Sequence, residues 1–180
     1  MRSKNIMRGF CLLLLTSIAL QSCAQGKKAE KVKNPYYSRT DTTRLKVSNV
    51  EWRKVLPDSL YEVARNKDTE YAFTGKYWNY FGLGTYRCAV CGNALFISDA
   101  KFASQCGWPS FFETIRKNSV IYLADNSFGM ERVEVQCGRC NSHLGHLFDD
   151  GPPPTHKRYC INSVSIDFEP NKKISTLKIN

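Results

Sequence analysis

Two cysteines stand apart from the rest of this chain. One lies in Lys101-Phe-Ala-Ser-Gln-Cys106-Gly-Trp-Pro-Ser-Phe111, the other in His156-Lys-Arg-Tyr-Cys160-Ile-Asn-Ser163. Neither has a second cysteine two or three residues away. Four others form two knuckles, Cys88-Ala-Val-Cys91-Gly and Cys137-Gly-Arg-Cys140-Asn. Four thiolates delivered as two CxxC pairs suit a tetrahedral zinc ion. The 45 residues between the knuckles exceed the spacing of a compact zinc ribbon, so such a metal would staple distant hairpins of a larger domain. With four sulfur ligands no position stays open, and the site would be structural. Two CxxC disulfides are the alternative that an oxidising compartment would favour. Two of the three histidines, His143 and His146, follow the second knuckle in a Gly-containing stretch, and their near-neutral pKa suits proton transfer.

The elements that must position these groups follow from pattern. Ser48-Asn-Val-Glu51 has capping-box spacing and opens a short helix with Trp52, Val55 and Leu56 on its apolar side. Pro57 breaks it, and 58–65 predicts a second helix with Leu60, Val63 and Ala64 inward. Beyond Gly75, short runs such as TYRC, ALFI, VIYLA and RVEVQ alternate with Gly, Asn, Asp and Pro. That texture predicts a small antiparallel β protein with N-terminal helices. Strand alternation along 159–168 would put Cys160, Asn162, Val164, Ile166 and Phe168 on one face, with Arg158 beside them to favour a thiolate. His156 reads as a solvated loop residue, and Trp52 and Trp78 as N-terminal packing.

The N-terminal region reads as an address. Residues 1–8, MRSKNIMR, are a basic n-region, and 9–20, GFCLLLLTSIAL, form an apolar run too short to span a bilayer. Leu20-Gln21-Ser22-Cys23 resembles a bacterial lipoprotein lipobox, which implies cleavage before Cys23 and its lipidation; Cys11 would leave with the leader. An ordinary signal peptide with an incidental cysteine is the alternative. Residues 23–48 read as a flexible polar tether and 49–180 as the catalytic domain. The formal net charge of +10 divides as +3 over 1–22, +5 over 23–48 and +2 over 49–180. The domain is therefore nearly neutral and lacks the basic surface that nucleic-acid binding requires.

CAVCGNALF, CGWPSF, CGRCNSHLGHLFDDGP and RYCINSVSIDF, in that order and spacing, resemble the methionine sulfoxide reductase B family over about residues 49–170. The resemblance implies two small antiparallel sheets in a barrel-like or tent-like arrangement. It also implies a structural zinc and thiol-dependent reduction of the R epimer of methionine sulfoxide. Residue by residue, Cys160 matches the catalytic cysteine and Cys106 the recycling cysteine, which implies a disulfide step and a thioredoxin-like donor. Reducing a sulfoxide needs a soft nucleophile, a proton donor and a pocket for a methyl thioether. His143 and His146 would supply the proton, Asn162 would orient substrate or water, and Trp108, with Phe148, would wall the methyl group. The address implies an exported, lipid-anchored enzyme of the bacterial envelope, facing the periplasm and repairing oxidised proteins there. A zinc-stapled binding module and a general thiol–disulfide oxidoreductase are the competing readings.

Overall fold

A capped helix opens the regular structure. The Ser48 hydroxyl accepts the Glu51 N–H at 3.3 Å, and α1 runs Asn49–Val55 with Trp52 buried. Leu56 before Pro57 turns extended, and α2 follows at Asp58–Asn66, burying Leu60, Val63 and Ala64 as the pattern predicts. In this computed structural model residues 33–171 are described. Among them no helix is long and apolar enough to cross a membrane.

The remainder is antiparallel sheet. Strands β1 (Gly84–Cys88), β2 (Ala94–Ile97) and β9 (Ile166–Pro170) form a three-stranded sheet in the order β2-β1-β9. Strands β3 (Lys101–Phe102), β4 (Ser110–Phe111), β5 (Val120–Asp125), β6 (Arg132–Cys137), β7 (His143–Phe148) and β8 (Arg158–Ile161) form a second sheet. Its order is β3-β4-β8-β7-β6-β5. The two-sheet expectation holds, but neither sheet closes on itself among the described residues, so the barrel-like shape is not what the pairing gives.

The core joins the sheets through aromatic rings. Phe96 of β2 stacks on Phe111 of β4 at 4.3 Å, and Tyr86 of β1 meets Phe111 edge-on at 4.9 Å. All three side chains are fully buried. Their apolar burial, about 1.5–3 kcal/mol per large side chain, is what clamps one sheet to the other.

Two expectations change. The strand alternation does not run through 159–168: β8 stops at Ile161, Ser163–Ser165 form a 3-10 turn, and Ile166 onward belongs to the other sheet. Ile166 is core and does not share a face with Cys160. The stretch 33–48, expected as part of a flexible tether, is laid against the domain. Arg139, nearly fully buried, donates to the carbonyls of Tyr36, Thr43 and Cys91 and pairs with Asp41 at 2.6 Å. Tyr36, Leu45 and Val47 pack on the core. A buried guanidinium needs several acceptors, and this stretch supplies them. The proposed leader, Cys23 and 24–32 lie outside the described residues.

Candidate active site

The two isolated cysteines meet. Ser110 pairs with Cys160 across β4 and β8, and the loop 103–109 before β4 returns Cys106 over that pair. The Cys106 and Cys160 sulfurs stand 3.5 Å apart, both unbridged and part-buried. A disulfide needs about 2 Å, so a small side-chain movement closes the gap. Gly107 makes the return possible: its φ is +87°, and an added Cβ would meet the Ala72 Cβ and Phe73 nitrogen at 2.8 Å.

Cys160 opens into a cavity of about 140 Å³, lined by Thr69, Trp108, Arg132, Gly145, His146, Phe148, Cys160 and Asn162. The sheet register explains the assembly. His146 lies directly opposite Cys160 across β7 and β8, and Phe148 opposite Arg158. Gly145 sits so close to the Cys160 carbonyl that any side chain there would push the two strands apart. The Trp108 indole N–H donates to the Glu70 carbonyl at 3.2 Å, which fixes the ring as a wall.

Charge around the cavity is organised by two carboxylates. His146 Nε2 lies 2.7 Å from Asp125 Oδ2, and Arg132 reaches the same oxygen at 2.8 Å. Hydrogen bonds from Ser127 and then His146 hold the Asp125 carboxyl far below the usual carboxylate range, so it stays ionised. Behind His146 stands His143, buried, its Nδ1 2.8 Å from Glu134 and its Nε2 without a protein partner. Burial lowers the His143 pKa more than Glu134 raises it. The His143 and His146 rings are 5.5 Å apart, edge to face.

The sulfur pair behaves as one unit with a shared proton. Hydrogen bonding from Cys160 pulls Cys106 down to about 4, with Ser104 and Ser110 adding to it against burial. The same contact, with burial, pushes the second proton on Cys160 far up, although Arg158 acts in the opposite sense. The pair therefore shares one proton between its two sulfurs, with hydroxyl donors on the Cys106 side. Arg158 was expected to favour the Cys160 thiolate, and it does act in that direction; its guanidinium is also held by both oxygens of Asp150 at 2.8 Å and lies over Phe148 at 4.3 Å.

Of the residues chosen from sequence, Cys160, His146, Trp108, Phe148 and Asn162 line the cavity. Cys106 is beside it; His143 and Arg158 stand behind its wall. Asn162 reaches the site without the expected alternation, and its amide is spoken for: it donates to Leu144 O at 3.1 Å and accepts from Glu70 N–H at 3.1 Å. It ties the segment carrying Glu70 to β7 at the cavity wall. His156 is exposed, as expected. Arg132, Asp125, Glu134, Glu70 and Thr69 went unnoticed in sequence. The Arg-Val-Glu alternation of β6 was the available signal for Arg132 and Glu134; Asp125, Glu70 and Thr69 carried none, because each acts from a loop or a strand end.

The four knuckle cysteines converge as well. Cys88 and Cys140 sulfurs are 3.7 Å apart, Cys91 and Cys137 sulfurs 3.6 Å, and all four lie within 4.8 Å of one another, buried. They could hold one metal ion. The first knuckle ends β1 and the second ends β6, so an ion there would tie the small sheet to the large one.

An open two-sheet β fold, stapled by a thiol cluster and carrying a separate cysteine pair at a small aromatic-walled cavity, defines a thiol-redox protein. Residues 56–170 match the SelR domain. Peptide methionine sulfoxide reductase MsrB of Thiobacillus denitrificans is 52% identical over 123 residues, 68% of this chain and 93% of that protein. The protein of the same name from Agrobacterium fabrum is 49% identical over 133 residues, 73% of this chain and 98% of its own length. That of Pseudomonas putida strain W619 is 53% identical over 120 residues, 67% and 90% respectively. The chain belongs to the SelR-domain, MsrB family.

Proposed function

We propose that the protein is a peptide methionine sulfoxide reductase acting on the R epimer. The observation that carries this is the placement of Cys160 at an apolar-walled cavity, opposite His146, with a second sulfur 3.5 Å behind it. Trp108 and Phe148 take the methyl thioether, and the polar rim of His146 and Arg132 takes the sulfoxide oxygen. The Cys160 sulfur attacks the substrate sulfur. The Cys160 thiol proton passes by way of His146 to the sulfoxide oxygen, which then moves as hydroxyl from the substrate sulfur to the Cys160 sulfur. The substrate S–O bond and the new S–S bond break, an S–O bond to Cys160 forms, and methionine leaves with Cys160 as the sulfenic acid. Asp125 holds His146 in orientation. Cys106 then attacks the Cys160 sulfur, closing a disulfide and releasing water. A thioredoxin-like dithiol restores both thiols by exchange. An assay that separates R from S sulfoxide, wild type beside Cys160→Ser, tests the reading. R-specific loss of oxygen in the wild type alone supports it; reduction of insulin disulfides without sulfoxide turnover would replace it with a general oxidoreductase.

The metal we infer is structural zinc. Four sulfurs each about 2.3 Å from a tetrahedral ion lie about 3.8 Å from one another, and the nearest pairs here stand at 3.6 and 3.7 Å. Those two distances run between the knuckles; within each knuckle the cysteines are unbridged, where a CxxC disulfide would hold their sulfurs about 2 Å apart. Zinc bound there holds the knuckle after β6, and with it the start of β7 that carries His143 and His146.

We further infer that 1–22 is a leader and that Cys23 is lipidated, holding the domain at the bacterial envelope, periplasm-facing, where it repairs oxidised proteins. The n-region, the short apolar run and LQSC support this. Incorporation of a labelled fatty acid, abolished by Cys23→Ala, is the expected result.

A further inference from the structure

Cys106 is surrounded by hydroxyls that the reduction step does not use. Ser104 Oγ lies 3.0 Å from its sulfur and Ser110 Oγ 3.4 Å, while the two hydroxyls are 2.7 Å apart. Ser110 is fully buried at the β4–β8 register point facing Cys160, and its oxygen also lies 3.3 Å from the Trp108 carbonyl. Ser104 is half-buried on the loop that carries Cys106 itself. Each hydroxyl has one proton to give and can accept another. The shorter contacts favour one arrangement: Ser110 donates to Ser104 at 2.7 Å rather than to the Trp108 carbonyl at 3.3 Å, and Ser104 donates to the Cys106 sulfur.

We propose that Ser104, oriented by Ser110, is the hydrogen-bond donor that keeps Cys106 a thiolate during disulfide formation. This rests on the reductase reading above. The reason lies in the order of the steps. In the resting pair the Cys160 thiol is placed to donate to Cys106 across 3.5 Å, a contact in which either sulfur can be the donor. Once Cys160 carries oxygen, that S–H is gone, at the moment when Cys106 must act as a nucleophile. The other groups facing Cys106 are cationic but indirect. Lys101 on β3 is bonded to the Trp78 carbonyl and seated over Phe81, and Arg158 on β8 is held by Asp150. The Trp108 carbonyl also lies 3.5 Å from the Cys106 sulfur but can only accept, so among the described residues the two hydroxyls are the side-chain donors that touch the sulfur throughout. Hydrogen bonds to the charged form lower a thiol pKa; at Cys106 the Cys160 contact lowers it most, and Ser104 and Ser110 lower it further.

The step balances simply. The Cys106 thiolate donates its electron pair to the Cys160 sulfur, the S–S bond forms, and the S–O bond breaks. Hydroxide leaves and takes a solvent proton to become water. Ser104 keeps its proton throughout, pointing its O–H at the sulfur before attack and turning it to another acceptor afterwards. Cys106 is oxidised from thiolate to disulfide as the sulfenic sulfur is reduced to the same level.

Rapid mixing of the fully reduced enzyme with one equivalent of R-methionine sulfoxide tests this. Methionine released reports the first step, and loss of the sulfenic acid to disulfide reports the second. In Ser104→Ala the ratio of the second rate to the first should fall about tenfold or more near pH 6, and the deficit should close near pH 9, where an ordinary thiol ionises unaided. Ser104→Thr, which restores the hydroxyl, should recover most of the ratio. Ser110→Ala should show the same pH-dependent deficit in weaker form. An Ala variant whose two rates fall together, or whose second step is slow at every pH, overturns the proposal and leaves Ser104 a packing residue. Absence of methionine release from the wild type would instead sink the reductase reading itself.

Discussion

Two sets of cysteines bring their sulfurs to nearly the same distance and do opposite things. In the knuckle cluster the nearest sulfurs are 3.6 and 3.7 Å apart; at the cavity they are 3.5 Å apart. What differs is access and company. The four knuckle cysteines are buried, with Asn93 and Ser142 as polar neighbours. Cys106 and Cys160 are part-exposed, with hydroxyls on one side and a cavity on the other. Sulfurs closed off on all sides and four in number make a staple. Sulfurs open on one side and two in number make a reagent. The staple in turn fixes the reagent, because β7, which presents His146 to Cys160, starts three residues after the second knuckle.

The sharpest break of this contrast removes the staple. Cys137→Ser, or a strong chelator, should cost the fold itself, since a structural Cys₄ zinc contributes on the order of 10 kcal/mol. Circular dichroism should then show loss of sheet, with activity gone as a consequence. Cys160→Ser should do the reverse, keeping the sheet signal and the metal while sulfoxide turnover falls below detection. Cys106→Ser sits next: one methionine per enzyme should still be released, but thioredoxin-coupled cycling should stop. Steady cycling by that variant would remove Cys106 from the scheme. Asp125→Asn should lower the rate constant for methionine release about tenfold, because His146 loses its fixed partner while remaining in place. The smallest effect is spectroscopic. Cys106 has a folded pKa lowered to about 4, so thiolate is present above that pH and lost as pH falls through it. Ultraviolet thiolate absorbance of the reduced, metal-loaded protein should rise through this range, and Cys106→Ser should remove that rise.

How much of this was legible beforehand depends on the range of the interaction. The knuckles were readable because each pair of ligands is local, two residues apart within one turn. Helices α1 and α2 were readable for the same reason: Ser48 caps its own helix and Pro57 breaks it. Cys160, Cys106 and Trp108 were reached by resemblance, and Cys160 has no local signature at all. The alternation argument placed Asn162 beside Cys160 for a wrong reason, since the chain leaves one sheet for the other after Ile161. The tether misled because polar composition hides acceptors; Thr43 and the Tyr36 carbonyl matter only once Arg139 is buried beneath them.

By itself the sequence determined which residues can do chemistry here: six cysteines of the domain in two patterns, two histidines three apart, and a rigid Trp-Pro corner. The tertiary structure alone decided that the two lone sulfurs meet and share a proton, that Arg158 is paired with Asp150, and that His146 is backed by Asp125 and His143 by Glu134. Spacing along a chain encodes contacts within a turn. Ionisation answers to whatever the fold brings within a few ångströms, and those neighbours come from strands far apart in sequence.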